Sequence, residues 1–499
     1  MMKKNIFKVG FAILLFLTVS SSCTDNFVDR DPVYSIDSEN YFNSEADYNK
    51  ALIAAYDMLQ SSYINVLMGE IASDNTLSGG ESANDVIGIQ QIDEMTHTPV
   101  NSNLKDLWDW MFAGVQRANY ILEFKDKTDF DGKEQIIAEA RFLRAYYQFE
   151  LVKWFGPIPM KGDARFKLND EKSIPRSPVS EVYASIESDL IFAISNLSAL
   201  APQTGRATKG AAQALLGKVY LYQDKFVDSA NVFDELIGSN TYSLVTDYNS
   251  IFENNGENGP ESVFEVQYSD AEGASFGCLQ CSEGNVAVGF NGIRNYSGPL
   301  FDSGYSFNVP TQGAYDAYEV GDKRRDVAIL NITTWAAANT SFNNGAGVSY
   351  GTGYKHTGFF NRKYLARQGD ANLGDQNLTN PNNYRAIRYA DVLLMAAEAN
   401  NRGGIDDAKA RFYLNQVRRR AFGDTNHDIS ASGAALTDFI LDERRLELMG
   451  EGHRFFDLVR TGKAAQKITG FTVNKNEIFP LPIEEIQFSN GNWTQNLGY

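Results

Sequence analysis

The chain is poor in the residues that do chemistry. Of its 499 residues only four are histidine (His97, His356, His427 and His453) and three are cysteine. The histidines are scattered, and none falls in H-E-x-x-H or another metal-ligating spacing. A P-loop and a dinucleotide fingerprint are both missing. Carboxylates are plentiful, but no two are set apart by an apolar pocket signature, so no glycosidase pair can be named. Positive charge is also short: 45 Lys and Arg face 63 Asp and Glu, for a net charge of −18. Such a surface repels phosphate backbones and argues against nucleic-acid binding. Beyond the N-terminus no apolar run is long enough to span a bilayer. Tryptophan is scarce at five residues, yet 32 Phe and 25 Tyr raise aromatic content to 12%, so flat apolar surface is what the chain has in excess.

The N-terminus carries "MMKK" and Lys8 as a basic n-region, then "VGFAILLFLTVS" as an apolar h-region, then Ser20 to Ser22 before Cys23. This is the layout of a secretory signal peptide over residues 1–22. A cysteine at the cleavage point resembles the lipobox of bacterial lipoproteins, although Ser20 stands where many lipoboxes carry leucine. By that resemblance the Cys23 thiol is the lipid anchor. An ordinary signal with an incidental cysteine is the alternative. Residues 1–22 hold three lysines and no acid, so the mature chain carries −21. Cys278 and Cys281, in "GCLQCSEG", remain. In an oxidising compartment a local disulfide is the default for them, since no further zinc ligands lie nearby and the flanking glycines argue against a redox-active helix start.

Helical spacing predicts helices over 48–63, 103–124, 131–160 and 177–200, the last N-capped by Ser180. Two segments fit tetratricopeptide spacing. One is Leu216, Gly217, Tyr220, Ser229 and Phe233; the other is Met395, Ala396, Ala399, Ala408 and Phe412. Small residues at a helix crossing let two antiparallel helices approach while an aromatic fills the gap below. Between about 240 and 380 the pattern is interrupted by a strand near 259–268 and long Gly/Asn/Ser-rich stretches. So much loop in a compact protein is usually functional. In "LDERRLELMGEGHRFFDLVRTG" (441–462), Glu443, Arg444, Arg445 and Glu447 could form an active centre. The preferred reading is a helix laced by i,i+3 and i,i+4 ion pairs.

That segment also resembles the C-terminal hallmark of the SusD/RagB family of nutrient-uptake lipoproteins. Four more pieces fall in the family's order: "CTDNFVDRDP" after the lipid cysteine, "EARFLRAYYQFELVKWFGPIPM", "YRAIRYADVLLMAAEA", and "NKNEIFPLPIEEIQFSNGNWTQNLGY" at the close. The resemblance covers the chain from Cys23 to Tyr499. It implies a mostly α, SusD-like fold: one domain over 23–499, with interrupted tetratricopeptide-type repeats as scaffold (about 40–240 and 381–499) and an irregular, loop-rich ligand-binding part with few short strands (about 241–380). It further implies a lipid-anchored protein on the outer face of the outer membrane, lying as a lid on a TonB-dependent (SusC-like) transporter. Such a protein captures an oligosaccharide or polysaccharide, or in some members a peptide, and is not an enzyme. No cofactor or metal is implied. A protein-interaction scaffold and a hydrolase of the same outer-membrane system are the competing classes.

A glycan is bound by stacking sugar rings on aromatics and by satisfying hydroxyls with forked polar side chains. Trp335, in the loop context "NITTWAAANTS", is the first candidate, because Trp108, Trp110 and Trp154 fall in predicted helices and Trp493 in the C-terminal tail motif. Tyr296, Tyr305, Tyr350 and Tyr354 follow, with Arg294 and Asn295 as hydroxyl partners. Asp74 and Asn75 sit in the loop after an early helix, where family members often contact ligand. Loop Asp and Asn could instead hold calcium.

Overall fold

The computed structural model describes residues 41–371, 373–375 and 377–499. The signal-peptide and Cys23 anchor expectations lie outside these residues. Helices come first: α1 (Glu45–Asp57), α2 (Tyr63–Ile71), then β1 (Thr76–Ser78), α3 (Ile87–Asp93), α4 (Ser102–Glu123), α5 (Lys133–Phe155), α6 (Val179–Asn196), α7 (Lys209–Leu221) and α8 (Phe226–Gly238). Irregular chain follows with β2 (Ser262–Val266), α9 (Val286–Asn291), β3 (Asn308–Pro310), β4 (Ile329–Asn331), α10 (Ile332–Ala338) and β5 (Phe359–Asn361). Then β6 (Tyr384–Arg388) leads into α11 (Tyr389–Arg402), α12 (Asp407–Phe422), α13 (Gly433–Glu447) and α14 (Arg454–Arg460). Among the described residues no helix is long and apolar enough to cross a membrane.

Local chemistry sets several helix starts. The Asn101 side chain accepts from Leu104 N at α4, and Thr208 accepts from Ala211 N at α7, each satisfying an otherwise orphaned backbone donor. At α6 the expected cap is corrected: Pro178 occupies the cap position, so Ser180 lies inside the first turn. Proline suits this boundary because it needs no N–H partner there.

The helices stack in sequence order from α4 to α8. After the interruption α11 packs directly on α8, then α12 and α13 pack on α11. The repeat array is broken in sequence but continuous in space. In the α7–α8 hairpin a side chain on Gly217 would meet the Phe233 ring at 2.5 Å, and Ser229 Oγ donates to the Gly217 carbonyl at 2.8 Å. The glycine is what lets the aromatic seat against the crossing. The second repeat departs from its expected register. Phe412 and Ala408 are exposed, while Ala410 and Leu414 are buried. Helix α11 runs further past its small residue before turning than α7 does, so the returning helix presents positions about two residues later.

The interruption leaves and returns through a stem in which β2 pairs antiparallel with β6, Val266 facing Tyr384. Two more two-stranded ladders, β1 with β3 and β4 with β5, tie the irregular part to itself and to the α2–α3 region. The disulfide Cys278–Cys281 closes a tight turn within it.

Glu443, Arg444, Arg445 and Glu447 do not pair with one another, which corrects the expectation for them, although Asp457 and Arg460 further along do form an i,i+3 pair at 2.6 Å. Glu443, Arg444 and Glu447 are buried and reach across the chain. Arg388 bonds Glu261, Glu447 and Glu451 at 2.7 to 2.8 Å. Arg324 bonds Glu443 and Glu447 at 2.6 and 3.0 Å, and Arg444 bonds Asp391 at 2.6 Å. Glu447 is pulled below the usual carboxylate range: burial opposes its charge, but Arg420, Arg388 and Arg324 outweigh burial. These links join the repeat scaffold to the irregular part, with Arg324 reaching from the latter to α13.

Candidate functional site

A satellite apolar cluster under the irregular part is built from Ile293, Tyr296, Phe301, Leu330, Ile332, Phe360 and Leu365, with Trp335, Val348 and Tyr350 half-buried against it. Three of the aromatics singled out from sequence therefore share one cluster. Trp335 does not sit in a loop: it lies on α10, whose start is capped by the Asn331 side chain accepting from Thr334 N. Its ring packs on Phe301 with centroids 5.2 Å apart, and its Nε1 donates to the Tyr296 hydroxyl at 2.8 Å. Tyr296 is buried and donates to the Pro299 carbonyl at 2.9 Å, so it props Trp335 rather than offering a face of its own. Burial pushes the Tyr296 hydroxyl pKa up, partly offset by the indole N–H.

Arg294 connects this shelf to its surroundings. Its carbonyl accepts from Gly351 N at 2.7 Å, and its Nη2 donates to the Tyr305 carbonyl at 3.0 Å. The same guanidinium approaches Asp85 at 3.5 Å and Glu81 at 3.8 Å on the β1–α3 connection. Tyr354 N donates to the Gly80 carbonyl at 2.9 Å, which brings the 350–356 segment against that connection. Lys355 lies over the Tyr354 ring at 5.4 Å and binds Asp93 at 2.7 Å and Glu94 at 3.0 Å. Burial opposes the Lys355 charge, but the Asp93 contact outweighs it and its pKa is raised. Tyr350 and His356 face each other with ring centroids 6.0 Å apart. Asn295 is exposed at a turn with φ of 49°, a left-handed conformation that asparagine tolerates. Tyr305 belongs to a neighbouring aromatic group with Phe276 and Phe290.

Trp335 and Tyr350 thus pack against one cluster, Arg294 and Asn295 lie next to Gly351 beside Tyr350, and Tyr354 and Tyr305 lie on the adjoining segments. Asp74 and Asn75 do not join them. Asp74 is held by Arg454 at 2.7 and 3.0 Å, and Asn75 is fully buried with its carbonyl oxygen on Arg445 Nε at 2.8 Å. Both brace the C-terminal charged segment, so the solvent-facing part of that connection begins later, at Glu81. Sequence reasoning missed Glu81, Asp85, Lys355 and the exposed Phe276. The Gly79–Gly80 pair ahead of Glu81 was the available signal for a projecting loop. Among the described residues no group of three or more His, Cys, Asp or Glu side chains converges on a metal-sized site.

A helical-repeat scaffold thus carries half-buried aromatics with forked polar side chains nearby. A family described as "SusD family" matches residues 238–499, and one described as "Starch-binding associating with outer membrane" matches residues 26–221. The chain belongs to the SusD family. Among solved structures it is similar to a "Laminarin binding SusD-like protein", at 33% identity over 92% of this chain and 100% of that one, with a TM-score of 0.83. It is also similar to surface glycan-binding protein A from Bacteroides thetaiotaomicron in complex with laminarihexaose, at 28% identity over 91% and 99% of the two chains, with a TM-score of 0.79. Among curated proteins, SusD-like protein P38 of Formosa agariphila is 28% identical over 99% of both chains.

Proposed function

We propose that this chain is a non-catalytic, surface-exposed lipoprotein that binds a laminarin-type β-glucan and passes it to a partner TonB-dependent outer-membrane transporter. The single observation that carries the ligand class is the half-buried pair Trp335 and Tyr350 on one apolar cluster, in a chain whose similar structures include laminarin and laminarihexaose binders. A curved or helical glucan chain offers successive apolar ring faces, and half-buried aromatics accept them at little entropic cost because packing already fixes their rotamers. Arg294 and Asn295 supply forked donors and an amide of the kind that satisfies ring hydroxyls. Modest affinity per site suits a protein that must release its ligand, and repeated sites along a polymer raise avidity.

Affinity electrophoresis in gels containing laminarin, starch or no polymer tests this. Retardation by laminarin, lost or reduced at least about tenfold in Trp335→Ala, is the expected result, the magnitude being that of a stacking residue at the centre of an interface. Equal migration of wild type and variant removes Trp335 from the site, and retardation by starch alone replaces the ligand class. Release of reducing sugar by the purified protein would make it a hydrolase instead.

A further inference from the structure

The charges around the shelf are unevenly distributed. Two cations are present, Arg294 and Lys355, with only 18% and 21% of their side chains exposed. Each is already flanked by two carboxylates: Glu81 and Asp85 about Arg294, Asp93 and Glu94 about Lys355. The outermost groups are acids, with Glu81 at 78% and Glu94 at 49% side-chain exposure. Arg367, behind Phe301, is likewise taken up by Glu253 at 2.9 Å. A ligand approaching Tyr354 from solvent therefore meets the exposed Glu81 and Glu94 before Arg294 or Lys355, each of which already has acidic partners.

We infer that this face is a charge filter: it admits uncharged glycans and rejects uronate-bearing or sulfated ones, with Glu81 and Glu94 as the groups that set the discrimination. The inference rests on the glycan-binding reading above and adds the property by which related polymers are told apart. An anionic group held near the shelf feels net negative charge with no guanidinium or ammonium free to pair with it. Arg294 would have to leave Asp85 and Glu81 to bind it, and specificity of this kind comes from repulsion as much as from attraction. Neutral hydroxyls pay no such penalty and accept hydrogen bonds from groups already in place. Because the acids are exposed, the repulsion acts through solvent and falls away as salt shortens the Debye length.

The experiment compares laminarin with the same laminarin partly oxidised at C6 to glucuronate, by calorimetry at about 20 mM and about 500 mM salt, spanning Debye lengths on the order of 20 and 4 Å. Wild type is expected to bind the oxidised polymer at least about fivefold more weakly at low salt, with the gap closing at high salt. In Glu81→Gln/Glu94→Gln the low-salt gap should shrink to less than about half its wild-type ratio. Equal binding of both polymers at low salt overturns the filter. A gap that persists at high salt, or that the double variant leaves unchanged, overturns it too, because the loss would then come from the altered hydroxyl. If neither polymer binds, the glycan-binding reading itself fails and the filter falls with it.

Discussion

The Tyr296 hydroxyl receives the Trp335 indole proton and gives its own to Pro299, so one oxygen fixes the ring at the centre of the shelf. Tyr296→Phe keeps the packing and removes both bonds. We expect stability to fall by about 1 kcal/mol and laminarin affinity by about threefold to tenfold, checked by thermal melts and calorimetry, since the ring remains but is no longer pinned. Glu70 is a different kind of residue. It is fully buried, its Oε1 accepts from Gly452 N at 2.8 Å, and Oε2 has no protein partner among the described residues. Burial pushes its pKa up to about 7. The folded state then holds a proton that the unfolded state has released, so this group costs stability as pH rises from about 4.5 to about 7, by up to about 3 kcal/mol. Glu70→Gln should therefore unfold less readily than wild type at pH 8 and show little difference at pH 4, measured by denaturant melts at each pH.

At the scale of elements, the α7–α8 crossing depends on Gly217. Gly217→Val is expected to destabilise by about 1–3 kcal/mol by forcing Phe233 out of the crossing, measured by urea unfolding. The buried ion pairs of Arg388 and Arg444 act between elements. Arg388→Met takes one cation from Glu261, Glu447 and Glu451, which keep only Arg420, Arg324 and Lys363 among them, and should cost about 3 kcal/mol by urea unfolding because excess negative charge is left buried. Elements were also what the sequence disclosed best. Periodicity placed α4 within a residue or so of where it lies, because α4 buries an apolar stripe, whereas α5 is buried nearly all round and its end was marked by Gly156 and Pro157. It failed at α10, where a seven-residue helix is too short to show a period and only the Asn331 cap signalled it. It failed again at Phe412, because spacing within a repeat assumes a fixed turn length that α11 does not keep. Arg388 meets a glutamate 127 positions away, and no local pattern encodes that. For the shelf, aromatic type and an expected loop context selected Trp335 and Tyr350, but neither can separate the prop, Tyr296, from the platform it supports, nor tell that Asp74 is turned toward Arg454.

Across the whole molecule, the repeat stack and the irregular part are held together by Arg324, whose guanidinium reaches from one to Glu443 and Glu447 of the other in a site closed to solvent. Unfolding by heat should therefore give one calorimetric transition in which the shelf and the stack melt together. An earlier, separate loss of tryptophan signal would show the two parts to be independent.

The β2–β6 stem, with Val266 opposite Tyr384, places the departure and return of the irregular part side by side on the stack. In engineering terms the stem is a pair of splice sites. A segment of any length can be exchanged there without lengthening or shortening the stack, because α8 and α11 already touch without it. A chimera that carries a relative's residues between these two points, with its α13 partners for Arg324 matched, should acquire that relative's ligand while keeping this chain's helical stack.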